Sequence, residues 1–223
     1  MSEDLSGWVA RPRPQRVALE GRFCRLEPLD PHHADELFEA QRGEHKRHEY
    51  LPDHATDDRA AFDGFVAERI ASEDPLWFVV IDRATGRVEG RQTLLRIDPA
   101  NGVAETGHIF YGARIARTPV TTEAFYLHAR HLFDDLGYRR YEWKCNDLNE
   151  PSKRAALRFG MQSEGVFRQA AIVKGRNRDT AWFALIDKDW PRVRAGFERW
   201  LASGNFDAEG RQLKRLEELR DAA

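Results

Sequence analysis

Hydrophobic residues recur along this chain with two periods, and the switching between them lays out its elements. Phe23 to Leu29 alternates apolar and polar residues like a half-buried strand. Asp30-Pro31 then opens a helix to about Gln41, with Ala34, Leu37 and Phe38 on its inner face. Asp57 to Ala71 carries Phe62, Phe65, Val66 and Ile70 at helical spacing. Three strands follow, Trp77 to Asp82, Val88 to Ile97 and Val103 to about Ile115, joined by turns at Thr85-Gly86 and Asn101-Gly102. Asn-Gly is a strong hairpin signal, so the second and third of these strands are expected to be antiparallel neighbours. A helix from about Thr121 to Leu136 turns Phe125, Leu132, Phe133 and Leu136 inward, and the strand Tyr141 to Cys145 comes after it. A strand, helix, strand unit of this length implies a crossover and a parallel pair, hence an α/β (α+β) fold on a mixed sheet. A hairpin of Gly165 to Lys174 and Asp179 to Ile186 turns around Gly175-Arg176-Asn177. Beyond Trp190 lie an amphipathic helix with Val193, Phe197 and Leu201 and a charged helix from about Glu209 to Asp221. These last elements suit a dimer contact, a lid or packing on the body.

The junction at Tyr141 to Gly160 is the most informative. A short apolar strand runs into an Asn-x-x-Ser turn, and such a junction puts side chains and free backbone N–H groups at one sheet edge, where ligands dock. Asn149 suits the N-cap, Pro151 lacks a donor the first turn could not use, and Ser152 lies within that turn. Gly160 stops the helix. Asn149 and Ser152 are also preferred at helix starts for purely local reasons.

Composition narrows the classes of function. With 41% hydrophobic and 11% aromatic content, 223 residues bury one substantial core and leave appendages. A net charge of −2, from 35 basic and 37 acidic residues, gives no global field for nucleic acid or anionic lipid. Any anion site must be local. No apolar run approaches a membrane span and none opens the chain, so a cytoplasmic protein without nucleic-acid or membrane partners is expected. Cys24 and Cys145 are isolated and read as buried small hydrophobes. In the arm Met1 to Arg16, Pro12 and Pro14 prevent regular helix, and Trp8 is suited to dock on the body. The linker EHKRHEYLPDH holds His45, His48 and His54, but it lacks an HExxH arrangement and meets Pro52 at once. It reads as a solvated or substrate-facing loop, and no metal is expected.

Four segments, GRFCRLEPLDPHHADELF, the helix entry Thr122-Glu123-Ala124, LGYRRYEWKCNDLNEPS and EGVFRQAAIVKGRNRDTAWFALIDKDW, occur in an order that resembles the GCN5-related N-acetyltransferase (GNAT) superfamily. The likeness is greatest to the branch of ribosomal-protein N-terminal acetyltransferases (RimJ/RimL-like). It implies an arm at 1–20, an acetyltransferase domain at 21–190 and a C-terminal helical extension at 191–223. It also implies a mostly antiparallel sheet whose central strands, Val103 to Ile115 and Tyr141 to Cys145, splay apart around acetyl-CoA. Donors of the first strand, at Ile109, would meet the pantetheine amide and polarise the thioester carbonyl. Gly107 would permit a bulge there. Asn149 matches the residue that holds the pantetheine arm, and Ser152 the residue that assists the leaving thiolate.

The diphosphate loop departs from the family pattern. Where the superfamily carries two glycines before the helix, this chain has Ala116-Arg117-Thr118-Pro119-Val120-Thr121, and Pro119 removes one amide donor. Arg114, Arg117, Thr118, Thr121 and Thr122 are left to supply charge and hydroxyls.

Acyl transfer to an amine needs a base, since the amine is mostly protonated at neutral pH. Glu105, just before the splay, is the first candidate because partial burial raises a carboxyl toward neutrality, and His108 is the second. Alternation separates the two onto opposite faces unless a bulge intervenes. For the acceptor, Tyr50 borders the pocket in the resembled fold, and Arg168 and Lys174 belong to a basic hairpin suited to acidic character. The expected activity is acetyl transfer from acetyl-CoA to a primary amine, of a protein N-terminus or a small molecule, in a direct ternary complex, with no metal and with a homodimer admissible. A non-catalytic CoA-binding or interaction module on the same fold is the alternative that the missing glycines favour.

Overall fold

A computed structural model describes residues 4–222, so three residues of the N-terminal arm and the last residue of the extension lie outside the described residues. An eight-stranded sheet runs β1-β2-β3-β4-β5-β6-β8-β7. Its strands are β1 (Leu19–Glu20), β2 (Cys24–Pro28), β3 (Leu76–Asp82), β4 (Arg87–Asp98), β5 (Val103–Tyr111), β6 (Arg140–Asn146), β7 (Gln162–Val173) and β8 (Arg176–Ile186). All neighbours are antiparallel except β5 and β6, the pair that the crossover helix joins. The helices are α1 (Ala34–Gln41), α2 (Arg59–Ile70), α3 (Pro119–Arg130), α4 (Glu150–Arg158), α5 (Trp190–Leu201) and α6 (Leu216–Asp221).

Alternation along the strands sorts side chains onto two cores. Phe78, Val80, Leu94, Tyr141 and Trp143 join Phe125 of α3 and Phe197 of α5 in the larger. Trp77, Val79 and Val88 meet Leu37, Phe38, Phe62 and Val66 of α1 and α2 in the smaller. A buried carboxylate ties the larger layer to the sheet edge. Glu123 of α3 accepts from the backbone N–H groups of Arg22, Phe23 and Cys24 at 2.7, 2.6 and 2.7 Å, and a side chain at Gly21 would collide with it. Trp8 docks on the body, its Nε1 donating to the Ala100 carbonyl at 2.7 Å.

Several boundaries differ from the sequence reading. β5 stops at Tyr111 rather than near Ile115, because Ile115 N and Ala116 N both bond back to the Gly112 carbonyl and turn the chain. α3 ends at Arg130 and continues as one wide turn, His131–Asp135. The last hairpin turns at Lys174-Gly175, both left-handed (φ +50° and +72°), with Val173 and Arg176 paired. That is the backbone a two-residue turn requires. The charged C-terminal run is helical only over α6, since Asp207 accepts from the amides of Glu209 and Arg211 and folds the preceding stretch into a turn. Val193, Phe197 and Leu201 of α5 lie in the larger core, so this helix packs on its own chain.

Candidate active site

β5 and β6 pair over four residues each, Val103 to Thr106 against Arg140 to Trp143, and then separate. β5 simultaneously bulges on its other side. Between the pairs Thr93–Gly107 and Arg91–Phe110 it has one residue more than β4, and His108 takes φ +48°. Gly107 packs close, since a Cβ there would lie 2.9 Å from Leu95. The parted strands frame a cleft of about 120 Å³ lined by Gly107, His108 and Ile109 of β5 and by Lys144, Cys145 and Asn146 of β6. The lining also takes Asn149 and Ser152 from the entry of α4, Tyr50, Leu51 and Pro52 from the loop before α2, and Arg178 from β8.

Glu105 sits where the strands begin to part and is 6% exposed. Its Oε2 lies 2.7 Å from Lys144 Nζ, which also meets Glu142 at 2.8 Å and stands over the Trp182 ring. Burial raises the Glu105 carboxyl above its ordinary range, and the Lys144 ammonium only partly opposes this. Oε1 has no hydrogen-bond donor among the described residues and lies 3.9 Å from where a Cβ on Gly107, a cleft-lining residue, would sit.

The bulge brings His108 onto the face that holds Glu105. Trp77, Thr93 and Gly107 are successive partners across the sheet, and the His108 ring packs on Trp77 at 4.9 Å. Burial and the nearby Arg91 push its pKa down to about 4, so His108 is neutral at pH 7 and a weak base. Its Nδ1 is buried and unpartnered. Beneath it, fully buried Arg91 pairs with Asp53 at 2.6 Å and donates to the His108 carbonyl at 2.8 Å, tying the loop before α2 to the bulge.

The turn into α4 is fixed by its own side chains. Asn149 caps it by accepting from Ser152 N at 3.2 Å, and Ser152 Oγ accepts from Trp143 Nε1 at 2.9 Å, leaving the hydroxyl proton to donate elsewhere. The α3 entry is built differently. Thr118 is an N-cap without a side-chain cap, Pro119 fills the first turn, and the N–H groups of Val120 and Thr121 have no partner among the described residues. Arg117 adopts φ +65°, a left-handed backbone that a glycine takes without strain. Arg114 pairs with Glu89 at 3.0 Å, and the Thr118 and Thr121 hydroxyls donate to the Ile115 and Thr118 carbonyls. Thr122 accepts from Arg158 Nη1 at 2.9 Å, which places an unforeseen α4 cation at this helix start.

Of the three acceptor candidates, Tyr50 lines the cleft. Lys174 donates to the His48 carbonyl at 2.7 Å, closing the hairpin tip against the loop, and Arg168 lies in an outer concavity with Gln169, Asn177 and Asp179. The linker histidines do not converge: His45 pairs with Asp57, while His48 packs on Phe110. Sequence reading passed over Lys144, Arg91 and Arg158, and took Arg178 only as one cation of the basic hairpin, with Arg168, Lys174 and Arg176. Only the polar period of β6, which sets Lys144 beside Glu142 on the face opposite Trp143, could have signalled the first.

A profile for the acetyltransferase (GNAT) domain matches residues 24–162. A GCN5-related N-acetyltransferase from Brucella melitensis superposes with TM-score 0.96 at 51% identity, over 97% of this chain and all of that one. A structure from Chromobacterium violaceum assigned to the GNAT family gives 0.80 at 35% identity, over 86% and 96%. The microcin C7 self-immunity acetyltransferase in complex with acetyl-CoA and AMP shares the fold, with TM-score 0.66 at 21% identity over 74% and 93%. Comparison with curated proteins found no match. Among the described residues no helix is long and apolar enough to cross a membrane. The splayed pair, the shared fold and the identity over nearly the whole chain make this protein a member of the GCN5-related N-acetyltransferase superfamily, an acyltransferase.

Proposed function

We propose that the chain transfers an acetyl group from acetyl-CoA to a primary amine, by direct attack within a ternary complex. The observation that carries this is the place of Glu105, with one oxygen unpartnered among the described residues, where β5 and β6 begin to part, beside Gly107 of the cleft that Ser152 also lines. When bound, acetyl-CoA supplies an electrophilic thioester carbon. The backbone around Ile109, which has lost its β6 partner, and the Asn149 side chain would hold the pantetheine arm. The free amides of Val120 and Thr121, with Arg117, Thr122 and Arg158, would hold the diphosphate, so helix-end donors and arginines stand in for the missing glycines.

Glu105 takes the proton of the acceptor ammonium, directly or through one water, and its raised pKa brings it closer to that task at neutral pH. Ser152 donates a hydrogen bond to the departing sulfur, with its oxygen steadied by Trp143. The carboxylate on the ion pair with Lys144 keeps one fixed rotamer, which orients the free oxygen. His108, neutral at pH 7, lines the cleft as a weak base.

Calorimetric titration with acetyl-CoA, against dephospho-CoA and ADP, tests the donor half, and thiol release on adding amines tests the acceptor half. The reading expects one-to-one micromolar binding and amine-dependent release. Absence of binding at millimolar acetyl-CoA overturns it.

A further inference from the structure

The basic C-terminal hairpin divides sharply by what each cation meets. Arg168 faces the outer concavity, Lys174 is spent on the His48 carbonyl, and Arg176 is exposed beside the turn. Only Arg178 lines the cleft between β5 and β6.

Three cations line that cleft, Arg47, Lys144 and Arg178, and no carboxylate does. Arg47 is paired with Glu44 at 2.8 Å, and Lys144 with Glu105 and Glu142. Half-buried Arg178 meets no carboxylate among the described residues, and its one hydrogen bond goes to the Thr180 hydroxyl at 3.3 Å. A guanidinium held partly out of water with its fork unfilled is an unmet demand for an anion. Neighbouring groups lean the same way. Asn146 and Asn149 each use the amide oxygen on a backbone N–H, at 3.0 and 3.2 Å, which leaves their NH₂ groups as donors. The cofactor's diphosphate does not answer this demand, because no residue of the loop 112–122 lines the cleft.

We infer that the acceptor amine carries a carboxylate, which Arg178 binds while the amine faces Glu105. This rests on the proposed acetyl transfer and narrows its acceptor to amino-acid-like amines. The acceptor's ammonium and carboxylate then meet separate partners, Glu105 at the splay and Arg178 at the β8 side, so the molecule is oriented by charge before it reacts.

The test uses the full chain with acetyl-CoA and matched acceptors: free α-amino acids against their carboxamides, and short peptides with Glu against Gln next to the terminal amine. Thiol release is expected to favour the carboxylate member by about tenfold or more in kcat/KM. Arg178→Ala should bring that ratio to about one through the KM of the acid, and Arg178→Lys should restore part of it. Discrimination among free amino acids assigns the carboxylate to a small molecule, and discrimination only among peptides assigns it to a side chain. No preference in the wild type overturns the inference, as does a fall in kcat shared by acid and amide in Arg178→Ala, which would mark Arg178 as a stabiliser of the leaving sulfur. Calorimetry with an N-acetylated amino acid and its carboxamide, in the presence of CoA, reads the same contrast without turnover. Equal binding of the two counts against the carboxylate, whereas silence of every amine in the thiol assay counts against the reaction itself.

Discussion

The starts of α3 and α4 are built in opposite ways. α4 is closed by side chains, with Asn149 capping Ser152 N and Trp143 of the preceding strand, β6, holding Ser152 Oγ. What it offers a ligand is side-chain chemistry at fixed positions. α3 is left open, with an N-cap that makes no side-chain bond and with backbone donors unclaimed. What it offers is the helix dipole and bare amides, which suit an anion and need no particular side chain. The difference teaches that a site built from backbone needs its turn rather than its glycines: Arg117 holds the left-handed conformation that a glycine takes without strain.

The largest expected effects break the α4 half of this contrast and the carboxylate where β5 and β6 part. Ser152→Ala should lower kcat by about 10²-fold while the acetyl-CoA dissociation constant moves by less than about threefold. Glu105→Gln should cost about 10²-fold or more in kcat/KM and remove its acid limb. The sign follows from the raised carboxyl: as pH falls through a pKa above the ordinary value, Glu105 becomes protonated and cannot accept, so the wild-type rate drops there and the Gln variant stays flat. Next, Thr118→Asp would give α3 the cap that α4 has. Its carboxylate should occupy the open amides, weaken acetyl-CoA binding by about tenfold in a titration, and leave kcat at saturation near the wild type. Asn149→Ala should cost about 1 kcal/mol of stability, read as a lower urea midpoint. Smallest is Arg117→Gly, where relief of the left-handed strain offsets the added freedom of the unfolded chain. Stability should shift by no more than about 0.5 kcal/mol, with affinity for acetyl-CoA about threefold weaker from the lost charge.

How far the chain could be read without its fold varies with the range of the interactions involved. The hairpin at Asn101-Gly102, the crossover through α3 and the capped entry of α4 follow from signals within a few residues, and all three are present. The overlong β5 and the misplaced turn at Lys174-Gly175 are failures of the same local kind. Alternation continues past Tyr111 in the sequence, but Gly112 bonds to the Glu89 carbonyl across the sheet and bends the chain away. At the site, Asn149, Ser152, Tyr50 and Ile109 were legible and do line one cleft. Glu105 was legible as a residue near the splay, but its tether to Lys144 was not.

What the sequence alone determined is therefore periodic or local: which segments are strand or helix, which faces are apolar, where a helix begins, and that the central pair runs parallel. Tertiary structure decided which charges are free. Lys144, Arg47, Arg114 and Lys174 are each claimed by a partner, and all but Arg47 by one at least 25 residues away, whereas Arg178 meets no carboxylate among the described residues and bonds only to the hydroxyl of Thr180. It also decided that a bulge turns His108 onto the face of Glu105. The physical reason is that propensity and hydrophobic period act over one or two turns of chain, while pairing of charges, strand separation and the desolvation that shifts a pKa depend on which distant segments the packed core brings together.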